Sequence, residues 1–291
     1  MKNLGYYNGE IAAIEELKIP ALDRAVYFGD GAYDVVSVYN GKYFALDDHV
    51  DRFVESPSVI GIKPPMNAEE MKALFRELLA KVDVFPTGTI YFQVSRGTAP
   101  RSHEFPQGEI KANLLVFIKE SKFPDITKPL KLMTAKDMRH SYCNVKTLSI
   151  LPNVMAAQLA AENGCDEISL IRDGYMTENA HTALGIIKDG VFITHPLDEH
   201  ILPSIGRQHT ISICKALNIP VCERLYTYEE MISADEILIM SCIKLCSFAG
   251  IVDEKPVGGK SPDLIKAIQK KYIEKLFGEV GEIDLYKKIL G

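Results

Sequence analysis

The sequence lacks the features of a nucleic-acid-binding or membrane protein. It has no run of basic residues and no basic stripe interleaved with aromatic ones, and its 39 acidic residues outnumber 33 basic residues, which gives a net charge of −6. No apolar run approaches the length that crosses a bilayer, and residues 1–7 lack the apolar core of a signal peptide. Because these features are absent, we expect no nucleic-acid partner and no membrane partner. A cytoplasmic location is favoured.

Cysteine is present without a pattern that would carry chemistry. Six cysteines are scattered from the middle of the chain onward, as Cys143, Cys165, Cys214, Cys222, Cys242 and Cys246. Their spacing matches no zinc-ligand motif, and a chain of 291 residues needs no disulfide framework to fold. The sequence therefore predicts free thiols and no metal site.

The composition is that of an ordinary globular protein, and the local patterns predict an α+β fold. Hydrophobic residues make up 47% and charged residues 25% of the chain. Hairpins mixed with separate helices favour α+β over a doubly wound parallel sheet. The regular patterns lapse near Phe123, so we predict an N-terminal α/β domain at 1–120, a linker at 121–129 and a C-terminal α/β domain at 130–291.

Turn and capping signals predict the elements of the first half. A hairpin at 33–46 is expected to turn at Asn40-Gly41. Asp47 is the candidate N-cap of the helix that follows, and Asn67 with Glu70 three residues later has the pattern of a capping box. The long polar loop at 97–106 is of the kind that often carries function.

In the second half, helices and strands alternate at short spacing. Predicted helices cover 151–163 and 206–217, and predicted strands cover 167–172, 183–188 and 191–194. The polar segment 175–181, which contains Glu178, is expected to be a loop between two of these strands.

One lysine stands in an unusual setting. Lys146 lies between Val145 and Leu148, just before a run of apolar residues. Apolar surroundings disfavour an ammonium relative to a neutral amine, and a neutral amine can form a Schiff base with a carbonyl. Taken alone, the commoner interpretation is a lysine whose stem covers apolar surface while its ammonium reaches water.

Four other features have an ordinary explanation when each is taken alone. Arg52 could be a solvated helix arginine, Arg101-Ser-His103 a surface loop, Glu178 a hydrated acid, and 205–207 any helix start. Taken together, they match the needs of one cofactor. Pyridoxal 5'-phosphate requires an amine for its aldehyde, cations and N–H groups for its phosphate, and an acid for its pyridine nitrogen.

The order and the residue sequences of these segments also match a known family. From Tyr6 to about Leu276 the chain resembles the class IV, fold-type IV aminotransferases, and within them the bacterial D-amino acid transaminases. The matching stretches are Phe28-Gly-Asp-Gly-Ala-Tyr-Asp-Val-Val-Ser-Val-Tyr-Asn-Gly41, His49-Val-Asp-Arg52, 90–103, Lys146-Thr-Leu, Thr177-Glu178 and Ile201-Leu-Pro-Ser-Ile-Gly-Arg207. The resemblance implies the two-domain fold of that family.

The resemblance also implies roles in cofactor binding. Lys146 would hold the cofactor as a Schiff base and then move the substrate proton, and Glu178 would keep the pyridine nitrogen protonated. Leu202 would pack on the ring. The remaining implied contacts, to the phosphate, come from Arg52, the N–H groups of Ile205 and Gly206, Ser241 and Cys242.

The substrate contacts follow from the same resemblance. Tyr33, Arg101 and His103 look like the carboxylate trap that sets D-stereochemistry, and Val35 lies beside Tyr33 on the same strand face. In the family, the loop with the Arg-x-His pair reaches in from the partner subunit. The resemblance therefore implies a homodimer with active sites at the domain and subunit interface.

Three segments depart from the family pattern. Asn179-Ala-His-Thr-Ala183 replaces a serine-rich run that ends in asparagine, and Gly206 replaces a threonine that touches the phosphate. Cys242 and Ile243 stand where hydroxylated residues are usual, and Lys244-Leu-Cys246 departs as well. Each lost charged hydrogen bond is worth about 1.5–3 kcal/mol, so the departures bear on the phosphate grip and the substrate range.

The sequence thus predicts transamination between a D-amino acid, such as D-alanine, and a 2-oxo acid, such as 2-oxoglutarate. Aminodeoxychorismate lyase and branched-chain L-aminotransferase share the fold and are alternatives that keep the cofactor. A homologue that binds the cofactor without turnover is the alternative from another class. The intact Arg101 and His103 pair favours D-amino acids over the first two.

Overall fold

The computed structural model describes residues 3–83 and 85–290. Contacts divide the chain into two compact units. The first comprises Met1–Phe123, Val145–Ser149 and Glu279–Gly281, and the second comprises Pro124–Asn144, Ile150–Gly278 and Glu282–Gly291.

The segment with the candidate lysine groups with the first unit, whereas the domain prediction placed it in the second domain. The reason is backbone pairing. The N–H of Tyr33 donates to the carbonyl of Lys146 at 2.9 Å, and the N–H of Leu148 donates to the carbonyl of Gly31 at 2.9 Å. These bonds extend the edge of a strand in the first unit.

The first unit is built on a six-stranded antiparallel sheet with the order β2-β1-β6-β5-β3-β4. Its strands are β1 Leu4–Tyr7, β2 Glu10–Ala13, β3 Gly31–Tyr39, β4 Lys42–Tyr43, β5 Thr87–Ser95 and β6 Asn113–Glu120. Its helices are α1 Arg24–Phe28, α2 Leu46–Glu55 and α3 Ala68–Ala80, with 3-10 turns at Ile14–Glu16 and Ser56–Ile60.

Alternation along the strands separates the two faces of this sheet. Val36, Phe92 and Val116 point to one face and form a buried core with Phe53 of α2 and Phe75 of α3. Among the residues at the intervening positions, Tyr33, Val35, Tyr91 and Phe117 are only partly buried. One face of the sheet therefore carries the core, and the opposite face is open to other contacts.

The predicted hairpin and capping box of the first unit are confirmed, but the predicted cap of α2 is wrong. Asn40 and Gly41 adopt φ values of 51° and 70° in the turn, and the Asn67 side chain and Glu70 form the capping box of α3. The N-cap of α2 is Ala45, at φ 55°, because its N–H donates to Glu279 Oε2 at 2.7 Å. Asp47 lies in the first turn.

The second unit is built on a mixed sheet with the order β12-β11-β10-β13-β14-β7-β8-β9, and β15 pairs with β14. Its strands are β7 Leu130–Lys136, β8 Glu167–Arg172, β9 Tyr175–Asn179, β10 Ala183–Lys188, β11 Val191–Thr194, β12 Val221–Glu223, β13 Glu236–Ser241, β14 Leu245–Val252 and β15 Lys255–Pro256. The helices are α4 Leu151–Glu162, α5 Ile205–Ala216, α6 Tyr228–Ser233, α7 Pro262–Val280 and α8 Asp284–Leu290. Both sheets with their separate helices confirm the α+β prediction.

The predicted strands at 167–172, 183–188 and 191–194 are confirmed, and the predicted loop around Glu178 is wrong. Glu178 lies on β9, which pairs antiparallel with β8 after a turn at Asp173-Gly174 with φ values of 50° and 85°. That dipeptide is itself a hairpin signal. Within 3–83 and 85–290, no helix is long and apolar enough to cross a membrane.

Candidate active site

In the first unit, β3 positions the candidate lysine. Lys146 is partly buried, and its Nζ lies 4.3 Å from the centroid of the Tyr33 ring. Its backbone N–H donates to Ser56 Oγ at 3.4 Å, and its carbonyl accepts from the N–H of Tyr33. Both main-chain groups are therefore fixed, and the amine lies over the face of the Tyr33 ring.

A buried ionic cluster lies next along β3. Asp34 accepts from Arg52 Nε and NH2 at 2.8 Å each, and His49 Nδ1 lies 2.9 Å from Asp34 Oδ1. Because α2 places His49 and Arg52 three residues apart, both face Asp34. Burial disfavours the carboxylate, but the charges of Arg52, His49 and Lys146 outweigh it and hold the pKa of Asp34 below its usual range.

The loop after β5 carries the predicted carboxylate-binding pair. Arg101 and His103 are exposed. The guanidinium carbon of Arg101 lies 4.9 Å from the centroid of Phe28, and the His103 ring centroid lies 5.3 Å from it. The structure thus brings Arg101 and His103 together at Phe28, while Tyr33 stacks on Tyr91 at 5.4 Å beside Val35.

In the second unit, β9 presents a carboxylate whose two oxygens are both held. Glu178 is 8% exposed. Its Oε2 accepts from the backbone N–H of Leu202 at 3.2 Å, and its Oε1 forms a short contact with Arg139 NH1. Both carboxylate oxygens of Glu178 therefore have a fixed partner. The structure therefore brings Glu178 and Leu202 together, as both predicted roles require.

The arginine behind this acid was missed by the sequence analysis. Arg139 donates to Asp137 at 3.0 Å through Nε and at 2.8 Å through NH2, and Arg172 NH2 lies 3.1 Å from Asp137. Burial opposes the charge of Arg139, but Asp137 and Glu178 outweigh it and raise the pKa of Arg139. Asp137 and Arg139 stand two residues apart directly after β7, and that alternation is the signal that could have found them.

The start of α5 packs closely against the end of β13. A Cβ on Gly206 would lie 2.7 Å from the nitrogen and 2.8 Å from the Cα of Ser241, so only glycine fits. Ile205 and Gly206 open this helix, where unpaired N–H groups favour an anion. The structure brings Gly206 and Ser241 together, with Cys242 next in the chain.

The segment that departs from the family pattern forms a buried polar chain. Ser169 Oγ donates to Asn179 Oδ1 at 2.7 Å, Asn179 Nδ2 donates to Thr182 Oγ1 at 2.8 Å, and Thr182 Oγ1 donates to Glu167 Oε2 at 3.0 Å. His181 Nδ1 lies 3.2 Å from the same oxygen. Burial raises the pKa of Glu167 to about 7. Asn179 and Thr182 thus hydrogen-bond to each other and to β8.

Comparison with known proteins identifies the family. The family model described as amino-transferase class IV matches residues 31–249. The chain belongs to the class IV aminotransferases. The D-alanine aminotransferase of Staphylococcus haemolyticus is 34% identical over 275 residues, which covers 92% of this chain and 97% of that protein.

Solved structures agree on the fold of this class IV aminotransferase. The branched-chain aminotransferase of Thermoproteus uzoniensis with norvaline has a TM-score of 0.84 at 22% identity, covering 94% of this chain and 95% of that one. The branched-chain amino acid aminotransferase of Escherichia coli has a TM-score of 0.85 at 21% identity, covering 98% of this chain and 96% of that one. These likenesses confirm the predicted fold-type IV architecture.

Proposed function

We propose that the protein transfers an amino group from a D-amino acid, such as D-alanine, to a 2-oxo acid, such as 2-oxoglutarate, with pyridoxal 5'-phosphate as cofactor. The observation that carries the proposal is the Lys146 amine, which lies 4.3 Å from the ring centroid of Tyr33, a residue of the proposed carboxylate trap. The relative from Staphylococcus haemolyticus, named a D-alanine aminotransferase, supports the choice of substrate.

The donor set of the chain fits this cofactor. When bound, pyridoxal phosphate supplies an aldehyde for an amine and a protonated ring that withdraws electrons from the substrate's α-carbon. Lys146 is the amine that would hold the cofactor through its aldehyde. Once the amino group of the substrate takes its place there, the freed Nζ would move the proton of the α-carbon. Its half-buried stem and fixed backbone limit the positions that this nitrogen can reach.

Glu178 is the acid that holds the pyridine nitrogen in its protonated form. Arg139 and the N–H of Leu202 each donate to one of its oxygens, which fixes the orientation of the carboxylate. The proposed role of Leu202 rests on the same contact. Its backbone N–H is hydrogen-bonded to Glu178, and its side chain would pack against the ring of the cofactor. Asp137 accepts a hydrogen bond from Arg139 and so holds this arginine in place.

The phosphate is proposed to bind a cation and a helix start. Arg52 supplies the cation, and its bidentate bond to Asp34 fixes the plane of the guanidinium. The N–H groups of Ile205 and Gly206 supply donors at the start of α5, with Ser241 and Cys242 beside them. Main-chain donors do not depend on side-chain identity, so they compensate for the threonine that Gly206 replaces.

The substrate carboxylate is proposed to bind Tyr33, Arg101 and His103, with Val35 as a wall on the same strand. An arginine and a histidine together supply the donors that a carboxylate accepts. In the proposed homodimer, the loop with Arg101 and His103 serves the partner's site. The apolar face of α4 supports a homodimer, because Leu151, Val154 and Met155 are 69%, 53% and 62% exposed. A cytoplasmic location stays a prediction of the sequence.

The absorbance spectrum of the cofactor tests the proposal. Purified protein loaded with pyridoxal phosphate is given D-alanine, L-alanine and L-leucine separately. Conversion from the aldehyde to the amine form with D-alanine alone is the expected result. Conversion with L-leucine contradicts the D-specific assignment and favours a branched-chain L-aminotransferase. No conversion with any of them favours the lyase or the non-catalytic homologue.

A further inference from the structure

A buried arginine at the start of α1 contacts the loop that carries the proposed carboxylate trap. We propose that Arg24 is a positioning residue that holds Arg101 and His103 in their substrate-binding arrangement. This inference rests on the proposed function and deepens it, because it names a residue that sets the affinity for the substrate carboxylate without touching the substrate.

Arg24 donates one hydrogen bond to the backbone between the two trap residues of the loop. Its side chain is 3% exposed. Arg24 NH1 donates to the carbonyl of Ser102 at 2.8 Å, and Ser102 lies between Arg101 and His103 in the chain. A fixed carbonyl at the middle residue restricts the backbone dihedrals on both sides, and so the directions of both trap side chains.

The same arginine shares an aromatic ring with the trap. Phe28 stands four residues after Arg24, one turn along α1. The guanidinium carbons of Arg24 and Arg101 each lie 4.9 Å from the Phe28 centroid, and the His103 ring centroid lies 5.3 Å from it. Phe28 is therefore a ring that both the buried and the exposed cation contact, and it supports both.

The charges distinguish a positioning role from direct substrate binding. Arg24 Nε donates to Asp30 Oδ2 at 2.7 Å, so its charge is compensated inside the fold. Burial disfavours the Asp30 carboxylate, but Arg96 and Arg24 outweigh it and lower the pKa of Asp30. Arg101, by contrast, is exposed and available to an external carboxylate. Arg24 therefore orients the trap, and Arg101 binds.

The start of the loop is held without the Arg24 side chain. The backbone N–H of Arg24 donates to the Gly97 carbonyl at 3.0 Å, the N–H of Ala99 donates to Leu22 at 3.1 Å, and Tyr27 OH donates to the Ala99 carbonyl at 2.7 Å. Shortening the Arg24 side chain keeps all three bonds. The expected consequence is a mobile segment at 101–103 on an otherwise intact strand end.

The variants Arg24→Met and Arg24→Lys test this role, with Arg76→Met on the exposed side of α3 as the matched control. Arg24→Met is expected to raise the KM for D-alanine about 10- to 100-fold with a smaller change in kcat, because the trap is misplaced while the chemistry at Lys146 is unchanged. Arg24→Lys keeps the charge but not the two-pronged geometry, so an intermediate KM is expected. Arg76→Met is expected to match the wild type.

A double variant separates positioning from a merely structural role. If Arg24 acts through Arg101, then Arg24→Met adds little to the KM of Arg101→Met. Multiplicative effects of the two substitutions overturn the inference, as does an unchanged KM in Arg24→Met. A fall in Tm without a change in KM also overturns it, since that marks a purely structural arginine.

Limited trypsin digestion of the full-length protein gives a readout that needs no activity. Cleavage after Arg101 is expected to be faster in Arg24→Met than in the wild type and in Arg76→Met, because the loop segment is released. Equal cleavage rates overturn the positioning role. If wild-type protein does not respond to D-alanine, the proposed function fails, and the cleavage rates alone decide whether Arg24 holds the loop.

Discussion

Each unit contains a carboxylate paired with an arginine, but the two pairs are buried in opposite ways. In the first unit, Asp34 is 1% exposed at its side chain and Arg52 is 12% exposed. In the second unit, the side chain of Arg139 is 4% exposed and that of Glu178 is 11% exposed. The first pair thus presents its cation, and the second presents its anion. In each pair, the more deeply buried partner decides which charge the other partner presents.

The buried partner of each pair is held by further groups. His49 contacts Asp34 from α2, and Asp137 holds Arg139 with two hydrogen bonds. Such supports fix the presented group and neutralise the buried charge, which would otherwise be costly. The proposed assignments follow this division, with the cation Arg52 for the phosphate and the anion Glu178 for the pyridine nitrogen.

The largest effect is expected where the first unit supplies the reacting group. Lys146→Ala removes the amine that moves the substrate proton, so the rate of amino transfer is expected to fall about 100- to 10,000-fold. Rapid-mixing spectroscopy of the half-reaction measures this. Mass spectrometry after borohydride reduction is expected to find the cofactor attached to the wild type and to a Lys18→Ala control, but not to the variant. Wild-type turnover by Lys146→Ala would remove Lys146 from the mechanism.

Removing the buried partner of each pair sharpens the comparison. Arg139→Met leaves Asp137 and Glu178 without their shared cation and is expected to cost about 3–5 kcal/mol of unfolding free energy. Asp34→Asn is expected to cost less, because the remaining Arg52 is partly exposed and can turn towards water. Urea denaturation measures both variants, and the reverse order would show that burial does not decide the cost.

The presented anion is tested by Glu178→Gln, which keeps the shape and removes the charge. We expect kcat to fall about 100- to 1,000-fold, since one charged contact to the reacting system is lost. Arg139 keeps Asp137 as a partner, so the melting temperature is expected to change little. Steady-state kinetics and thermal unfolding check the two halves of this prediction, and a large loss of stability with normal kcat would refute it.

Glu167 is a buried carboxylate whose contacts include a hydroxyl, an imidazole and a backbone N–H. Its pKa is raised to about 7 by burial, so the folded state binds a proton that the unfolded state has released between about pH 4.5 and pH 7. Folding is thus favoured at low pH, and this contribution is lost as the pH rises through 7. Glu167→Gln is expected to gain about 3 kcal/mol on the wild type between pH 5 and pH 8.

Urea denaturation at several pH values measures this gain. A constant difference between Glu167→Gln and the wild type would show that the proton is not taken up on folding. Glu167 is then a third case for the comparison. Its buried carboxyl group is neutralised by a proton, whereas the charge of Asp34 is neutralised by Arg52.

Short-range signals in the sequence predicted much of the fold. The hairpin at Asn40-Gly41 and the capping box of Asn67 and Glu70 depend on residues within three positions, so the local pattern is sufficient. The cap of α2 could not be predicted in this way, because Ala45 is fixed by Glu279, which is 234 residues away in the chain. Long-range partners leave no local pattern.

The residues of the candidate site divide in the same way, into those that the sequence predicted and those that it did not. Lys146 and Tyr33 were predicted from residue type and family resemblance, and the structure places them together. Arg139 and Asp137 were not predicted, because their importance depends on contact with Glu178, which is 39 residues from Arg139. Residues that act on the substrate have a recognisable chemistry, whereas residues that support them are recognised only by their neighbours.

The close packing of Gly206 on Ser241 sets a limit on the redesign of this chain. A side chain at position 206 would meet main-chain atoms of β13, which cannot rotate away as a side chain can. A hydroxyl therefore cannot be added there by a single substitution unless the start of α5 also moves away from β13. A designer who wants a hydroxyl at this position must rebuild the turn after β13.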